Sequence, residues 1–395
     1  LLITSLIISS SFSLELDDVS KLSQDNLTLK KVVELSLAND PWLLGNQYSQ
    51  QAVIAKSIAA GTLSDPTISI NASSLPVDTF DTNQEAMTQL KIGISQMFPR
   101  GDTLVLKKEQ LQLQASQFPF QREDRKSQMT NNVAQLWLDA YKAQESINLI
   151  EKNRSLFEQL VDVAESSYST TIGKTRQQDI VRAQLELTRL DDRLTSLKQK
   201  KEMFLLGLSQ WLYDFSNEEQ LDSAVLKPFN FELPQKLPKI ELLNSVAYEN
   251  KKDSVMLVDY FKQHPSVKNI DQKIKAVSKD IYLAKQKYKP QFGLSTSYGF
   301  RDDTPRGQSR ADLFSAGVSF DLPIFTENKQ DKELQAAFLK TKAVKTEKVL
   351  LLRKMLSSFE TINVSLERLK QRKTLYSAEL LPQINEQAEA SLTAY

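Results

Sequence analysis

Leu90 to Gly101 reads LKIGISQMFPRG, and 224 residues further on Phe314 to Phe325 reads FSAGVSFDLPIF. In both stretches an apolar residue alternates with a small or polar one, as far as Ser95 in the first and up to the closing Pro in the second. Leu90, Ile92 and Ile94 alternate with Lys91, Gly93 and Ser95, while Phe314, Ala316, Val318 and Phe320 alternate with Ser315, Gly317 and Ser319. A period of two marks a strand with unlike faces. The two stretches are copies of one another. Pro41, Pro66, Gly93 and Pro99 recur at Pro265, Pro290, Gly317 and Pro323, and Ala164-Glu165 recurs at Ala388-Glu389, always 224 residues apart. Chain-breaking residues held in register over that distance indicate a tandem duplication. The second copy is cut short at Tyr395, and its return helix is expected beyond that point.

Working outward, each copy has the same order. A helical stretch (42–60 and 266–287) leads to a Pro, then a first strand at 67–74 and 291–300. A polar loop follows, Pro76 to Glu85 in one copy and Arg301 to Asp312 in the other, and then the second strand. Apolar residues on one face and small or polar ones on the other suit a barrel with lipid outside and water inside. Two hairpins lying on a soluble core would show the same pattern. After each second strand the period changes to steps of three and four. Val133, Leu136, Ala140, Ala143, Ile147, Ile150, Arg154, Phe157, Val161 and Ala164 form one such run, in which Arg154 is the polar member. A second run extends from Ile180 to Trp211, and a third from Leu352 to Leu380. Sustained spacing of this kind calls for coiled-coil packing.

Lengths constrain the packing. Thr103 to Tyr168 would span ~99 Å as helix, interrupted at Pro119, whereas the return stretch Asp179 to Trp211 spans only ~50 Å. The helix from Trp42 to Ala60 can stack on the end of the return helix and cover the remainder. Four strands per chain are too few to close a membrane barrel, which needs about eight. Oligomerisation is therefore required, and a trimer would supply twelve strands.

Composition narrows the function. Lys and Arg number 50 against 49 Asp and Glu, a net charge of +1, which gives no basis for a nucleic-acid partner. The absence of Cys excludes disulfides, thiolate metal sites, Cys nucleophiles and thioether-linked lipid. His264 is the single histidine and Gly residues number 10, a composition of long helices that argues against an enzyme. His264 precedes Pro265 and reads as a helix cap, and the scattered methionines read as packing residues. No cofactor and no metal site are expected. Uncharged runs of 18 residues are lacking, so a membrane protein of this sequence would be a barrel. Residues 1–13 begin LLITSLIISSSF and resemble the back half of a secretory signal peptide, with a disordered tail or edge strand as the other reading.

With this order in place, the sequence resembles the TolC family of outer membrane efflux channels. The resemblance is carried by the duplicated helix–strand–strand–helix order and by LTLKKVVELSLANDP at Leu27 to Pro41. The pre-strand Pro66 and Pro290, the passages GISQMFPRG and GVSFDLPIF, and the segment GKTRQQDIVRAQL at Gly173 to Leu185 also carry it. It spans about Leu27 to Tyr395. It implies a mostly helical α+β protein, a long coiled-coil tunnel in the periplasm with four strands per chain completing a trimeric twelve-stranded barrel. Residues 27–211 would form the first repeat, 212–262 an equatorial link and 263–395 the second repeat. The resemblance also implies a homotrimer in outer membrane lipid, serving as the exit duct of a tripartite pump. Its partners would be a periplasmic adaptor and an inner-membrane transporter of the RND or ABC type.

Carried over by residue, Gly173, Lys174 and Thr175 fall in the adaptor-facing turn, and Asp179 matches an aspartate that helps hold the tip closed. Asp179 is equally placed to serve as an ordinary acidic residue at a helix start. One departure is that Tyr168 precedes Gly173 by five positions, where the family usually has an aromatic residue three positions ahead. Asp321 shares the small and polar face of its strand, which directs it toward the lumen. A soluble or periplasmic coiled-coil scaffold capped by hairpins is the alternative reading. The cargo, whether drug, metal ion, solvent or protein, is not written in the sequence.

Overall fold

The computed structural model describes residues 28–170, 177–212, 233–238 and 254–393. The signal-like run, the turn residues Gly173, Lys174 and Thr175, and most of the segment between the repeats lie outside the described residues. The chain opens with α1 (Leu29–Ala38), capped by the Thr28 hydroxyl, which accepts from the Lys31 N–H. Next comes α2 (Pro41–Ala60), whose first-turn proline needs no hydrogen-bond partner. Strands β1 (Thr67–Ser73) and β2 (Gln89–Phe98) follow. The long helical arm that leaves β2 is broken, as α3 (Thr103–Ala115) ends two residues before α4 (Phe118–Thr170) begins. Pro119 thus sits in the first turn of α4, where its missing N–H is harmless. The chain returns as α5 (Gln177–Leu212).

The second half repeats the order. After α6 (Ser254–Lys262), α7 (Pro265–Gln286) starts where the offset from Pro41 places it, with His264 as its cap, Nδ1 accepting from the Ser266 N–H at 3.2 Å. Strands β3 (Phe292–Phe300) and β4 (Leu313–Phe320) lead into α8 (Gln330–Leu375). A π-helical turn at Tyr376–Leu380 precedes α9 (Leu381–Thr393). The wide turn lies immediately ahead of Pro382, whose ring would otherwise strike the carbonyl of Ala378. In the first copy Glu158 stands at the corresponding place, and α4 runs on unbroken.

Contacts divide the described chain into two compact units, one from Leu1–Gly45 and Arg122–Leu243, the other from Asn46–Gln121 and Asn244–Tyr395. In the first unit, α4 and α5 form an antiparallel pair. Arg154 reaches Asp191 at 2.7 Å and Glu158 at 2.9 Å, which explains the polar residue in an otherwise apolar heptad run, and Lys198 pairs with Glu151 at 3.2 Å. The core is Val32 of α1, Met129, Val133 and Trp137 of α4, and Leu208 and Leu212 of α5, all at 2% exposure or less. The heptad reading identified Val133 and Leu208 but passed over Trp137, one position beyond the seam, where α1 adds a third helix. The joint from α1 to α2 is tied to the end of α5 by Asn39, whose Nδ2 donates to the Leu212 carbonyl at 3.0 Å. Beside it, the buried Asp40 carboxylate pairs with Arg125 at 2.9 Å. The guanidinium also lies over the rings of Trp42 and Trp211, 5.6 and 5.5 Å from their centroids. A buried carboxylate is tolerable only with such a partner.

In the second unit α7 is the central helix, packed on α3 and α8 through small residues. Ala276, Ala284, Ala337 and Val344 are buried, and charges flank them. Lys279 pairs with Glu109, Lys348 with Asp271 and Lys273 with Glu347, each at 2.7 Å, and Lys340 pairs with Asp280 at 2.9 Å. Exposed ion pairs contribute about 0–1 kcal/mol each, so they fix the register of the helices more than their stability. Replacing Trp137 with Ala should destabilise the first unit by about 3–5 kcal/mol. Denaturant unfolding in detergent checks this, and Trp137→Phe should keep most of the loss from appearing.

Candidate functional site

The four strands form one antiparallel sheet in the order β1-β2-β3-β4, so β1 and β4 are its two edges. The register aligns the alternation of each strand with its neighbours. Ile70, Ile92, Tyr298 and Phe314 stand in one row across the sheet, and Ile68, Ile94, Thr296 and Ala316 in the next. This face is apolar and bare of any covering element, with Ile68 and Ile70 at 69% exposure and Phe314 at 71%. Its closing row is aromatic, Phe98, Phe292 and Phe320, with the last two rings 6.1 Å apart. A sheet face this apolar and this exposed demands a non-aqueous contact.

The opposite face is built differently. Ser69, Gly93, Ser297 and Ser315 make one row, and Asn71, Lys91 and Gly299 lie in the row beside it. All four strand glycines, Gly93, Gly293, Gly299 and Gly317, lie on this face, and each is overlain by a neighbour's side chain. A Cβ on Gly93 would come within 2.9 Å of the Ser69 hydroxyl, and one on Gly317 within 3.1 Å of the Ser295 hydroxyl. Glycine and serine keep this face thin, as the inner side of a curved sheet requires.

The two ends of the sheet are fastened by polar contacts between the copies. At the loop end, Arg310 donates to the carbonyls of Glu85 at 3.0 Å and Asn83 at 3.3 Å, and Arg301 to that of Ala86 at 3.2 Å. The Thr82 hydroxyl donates to Asp302 at 2.7 Å and, with the Asp303 N–H and the nearby Arg310 charge, holds that carboxyl below the usual range. At the helix end, Arg100 donates to the Lys289 carbonyl at 2.8 Å and forms an ion pair with Asp321. Asp321 also accepts from the Gln291 N–H at 2.6 Å, and returns its own N–H to the Gln291 carbonyl. Gly101, at φ +46°, turns the chain here in a conformation that suits glycine, closely against Gln286 and Lys289. The Tyr288 hydroxyl binds Asp331 nearby, which pushes its pKa up to about 12.

Asp321 therefore lies just past the end of β4, engaged at the junction of strand and helix. Asp179 lies in the first turn of α5 and is exposed. Arg100, Gln291, Arg301 and Arg310 were not singled out by sequence reasoning. Arg100 stands inside the PRG passage, but its partner is 221 positions away and has no counterpart in periodicity. Among the described residues no cluster of His, Cys, Asp and Glu could hold a metal ion, and no helix is long and apolar enough to cross a membrane.

Two outcomes follow from the fastened ends. Arg310→Ala should loosen the 74–88 loop by about 1 kcal/mol, so that protease nicking there becomes about fivefold faster. At the other end, the Gln291 N–H and then the Arg100 charge hold the Asp321 carboxyl below its ordinary 3.8. A depressed folded-state pKa contributes stability above the unfolded value, which is lost as pH falls through the folded one. Protection of the Gln291 amide against hydrogen exchange, relative to its intrinsic rate at each pH, should therefore fall below about pH 4, and Asp321→Asn should abolish that dependence.

Solved structures of outer membrane channels share this architecture. The CmeC outer membrane channel of Campylobacter jejuni aligns with a TM-score of 0.65 at 14% identity, covering 93% of this chain and 76% of its own. The outer membrane protein VceC of Vibrio cholerae aligns with a TM-score of 0.68 at 13% identity, over 93% of this chain and 85% of its own. The open state of the MtrE outer membrane channel of Neisseria gonorrhoeae gives 0.55 at 16% identity, over 93% and 77%. No protein-family model and no curated protein sequence matches the chain. Its long helices and four-stranded sheet together have the fold of the TolC-family outer membrane channels.

Proposed function

We propose that the chain is the outer membrane exit duct of a tripartite efflux machine, passing cargo that an inner-membrane transporter of the RND or ABC type and a periplasmic adaptor deliver. The observation that carries this reading is the sheet: one face predominantly apolar, uncharged and exposed, the other small and polar, with an edge on either side. In lipid an open edge leaves backbone N–H and C=O groups unsatisfied at several kcal/mol each, so spanning sheets close into barrels. Four strands cannot close alone, and pairing β4 of one copy with β1 of the next in a trimer gives twelve. The apolar face meets outer membrane lipid and the serine-and-glycine face lines the water-filled lumen, with Asp321 at its periplasmic rim. The helices form the periplasmic tunnel. Exposed heptad residues such as Ile362 and Leu369 on α8 support further helix packing in the assembly.

The duct needs no cofactor and performs no reaction; its mechanism is conformational. Gly173, Lys174 and Thr175 form the adaptor-facing turn, and Asp179 takes part in polar contacts that favour a closed tip. Adaptor binding stabilises the open arrangement by its higher affinity for it. Light scattering of the detergent-extracted protein should give a trimer that pellets with outer membranes. A water-soluble monomer or dimer would return the chain to the scaffold reading. Asp179→Ala should raise entry of large antibiotics or dyes several-fold, the effect of removing about 1 kcal/mol of closure, and unchanged permeability would remove Asp179 from the gate.

A further inference from the structure

The small and polar face of the sheet carries one formal charge. Thr67, Ser69, Asn71 and Ser73 of β1, Gln89, Gly93, Ser95 and Met97 of β2, and every residue of β3 and β4 on that face are neutral; Lys91 is the exception. It is the third residue of β2, close to the loop end, and faces Asn71 on one side and Gly299 on the other. Gly93 and Gly299 add no side chain of their own beside it, and the side chains that overlie them, Ser69 and Gln89, are uncharged. No described carboxylate lies within ion-pair distance of its ammonium, whereas the loop arginines beyond it, Arg301 and Arg310, are occupied with carbonyls. The apolar face of the same strands has no charge at all, so the one cation has been placed where water can reach it.

Resting on the channel reading above, we propose that Lys91 is an anion-selecting residue of the barrel, one ammonium from each copy forming a cationic ring just inside the outer mouth. A ring of like charge within low-dielectric walls focuses its field into the lumen, raising the local concentration of the opposite charge. Serines and glycines around it have no competing charge to offset it. The acidic residues of the rim, among them Asp78, Asp81, Asp302 and Asp303, lie outside the ring in the loops. Small anions and anionic solutes are thus favoured over cations of equal size at this level of the barrel.

The test measures ion selectivity of the full-length protein in planar bilayers under a potassium chloride gradient. Lys91→Gln should lower the chloride-to-potassium permeability ratio about threefold, Lys91→Glu should lower it further, and Lys91→Arg should retain it. Single-channel conductance of the three variants should stay close to the parent's. Because the chain has no Cys, a single cysteine placed by Lys91→Cys should react in intact outer membranes with a charged methanethiosulfonate, while one placed by Ile92→Cys should not. Conducting channels whose permeability ratio ignores position 91, or labelling at 92 in place of 91, would overturn the proposal. Failure of every preparation, the parent included, to conduct would instead overturn the channel reading on which it rests.

Discussion

An extended sheet edge is the constraint on which the rest depends. The outer edges of β1 and β4 carry backbone donors and acceptors with no partner in the sheet, and the face between them is covered with isoleucine and phenylalanine. Water would satisfy the edges but not the face; lipid would satisfy the face but not the edges. The conflict disappears when the edges pair with other copies and the faces separate into a dry outside and a wet inside. Lateral pairing of the edges, once accepted, makes the thin serine-and-glycine face the concave one, because only small side chains fit where a closing sheet crowds them.

The helical part answers to the same constraint through the foot of the sheet. A strand pair closed into a barrel must deliver its chain ends to helices at fixed positions, and here the passage from strand to helix is held by Arg100, Asp321 and the Gln291 backbone within the second unit. The α7 helix then packs on α3 and α8 with alanine-sized residues at the contact. Such contacts bury little area, so paired lysines and carboxylates along both flanks specify which helix lies where. Within the first unit the task differs: Trp137, Val133 and Leu208 supply a conventional dry core, and Arg125 holds Asp40 at the corner where α1 turns into α2.

Much of this was legible in the sequence because it is periodic. Alternation at 90–95 and 314–320 gave the strands and their faces, Pro119 gave the break before α4, and the 224-residue offset gave the order of elements in the second half. What could not be read was non-periodic. Trp137 is buried because a third helix arrives from residues 29–38, an event with no local trace. The Arg100–Asp321 pair joins residues whose neighbours in sequence say nothing of one another. Gly173, Lys174 and Thr175 were reached by resemblance alone and stand outside the described residues.

The duplication itself explains why these unreadable contacts exist. Two identical copies would allow each half to pair with either neighbour, and nothing would specify one arrangement within a chain. The contacts that fasten the sheet are made between positions that are no longer equivalent. Arg100 of the first copy corresponds to Ile324 of the second, and Asp321 corresponds to Met97, so the ion pair can form in one sense and not in the reverse. Lys91 likewise corresponds to Ser315, which leaves a single cation on the polar face where strict repetition would have left two. Pro382 corresponds to Glu158, and among the described residues only the second copy carries a π-helical turn. Backbone geometry, fixed by prolines and glycines in register, has stayed common to both halves, while the charged side chains have separated. Common geometry gives four strands that fit one sheet, in which β2 and β3 are the central pair and β1 and β4 the two edges, while the separated charges fasten its ends in one sense.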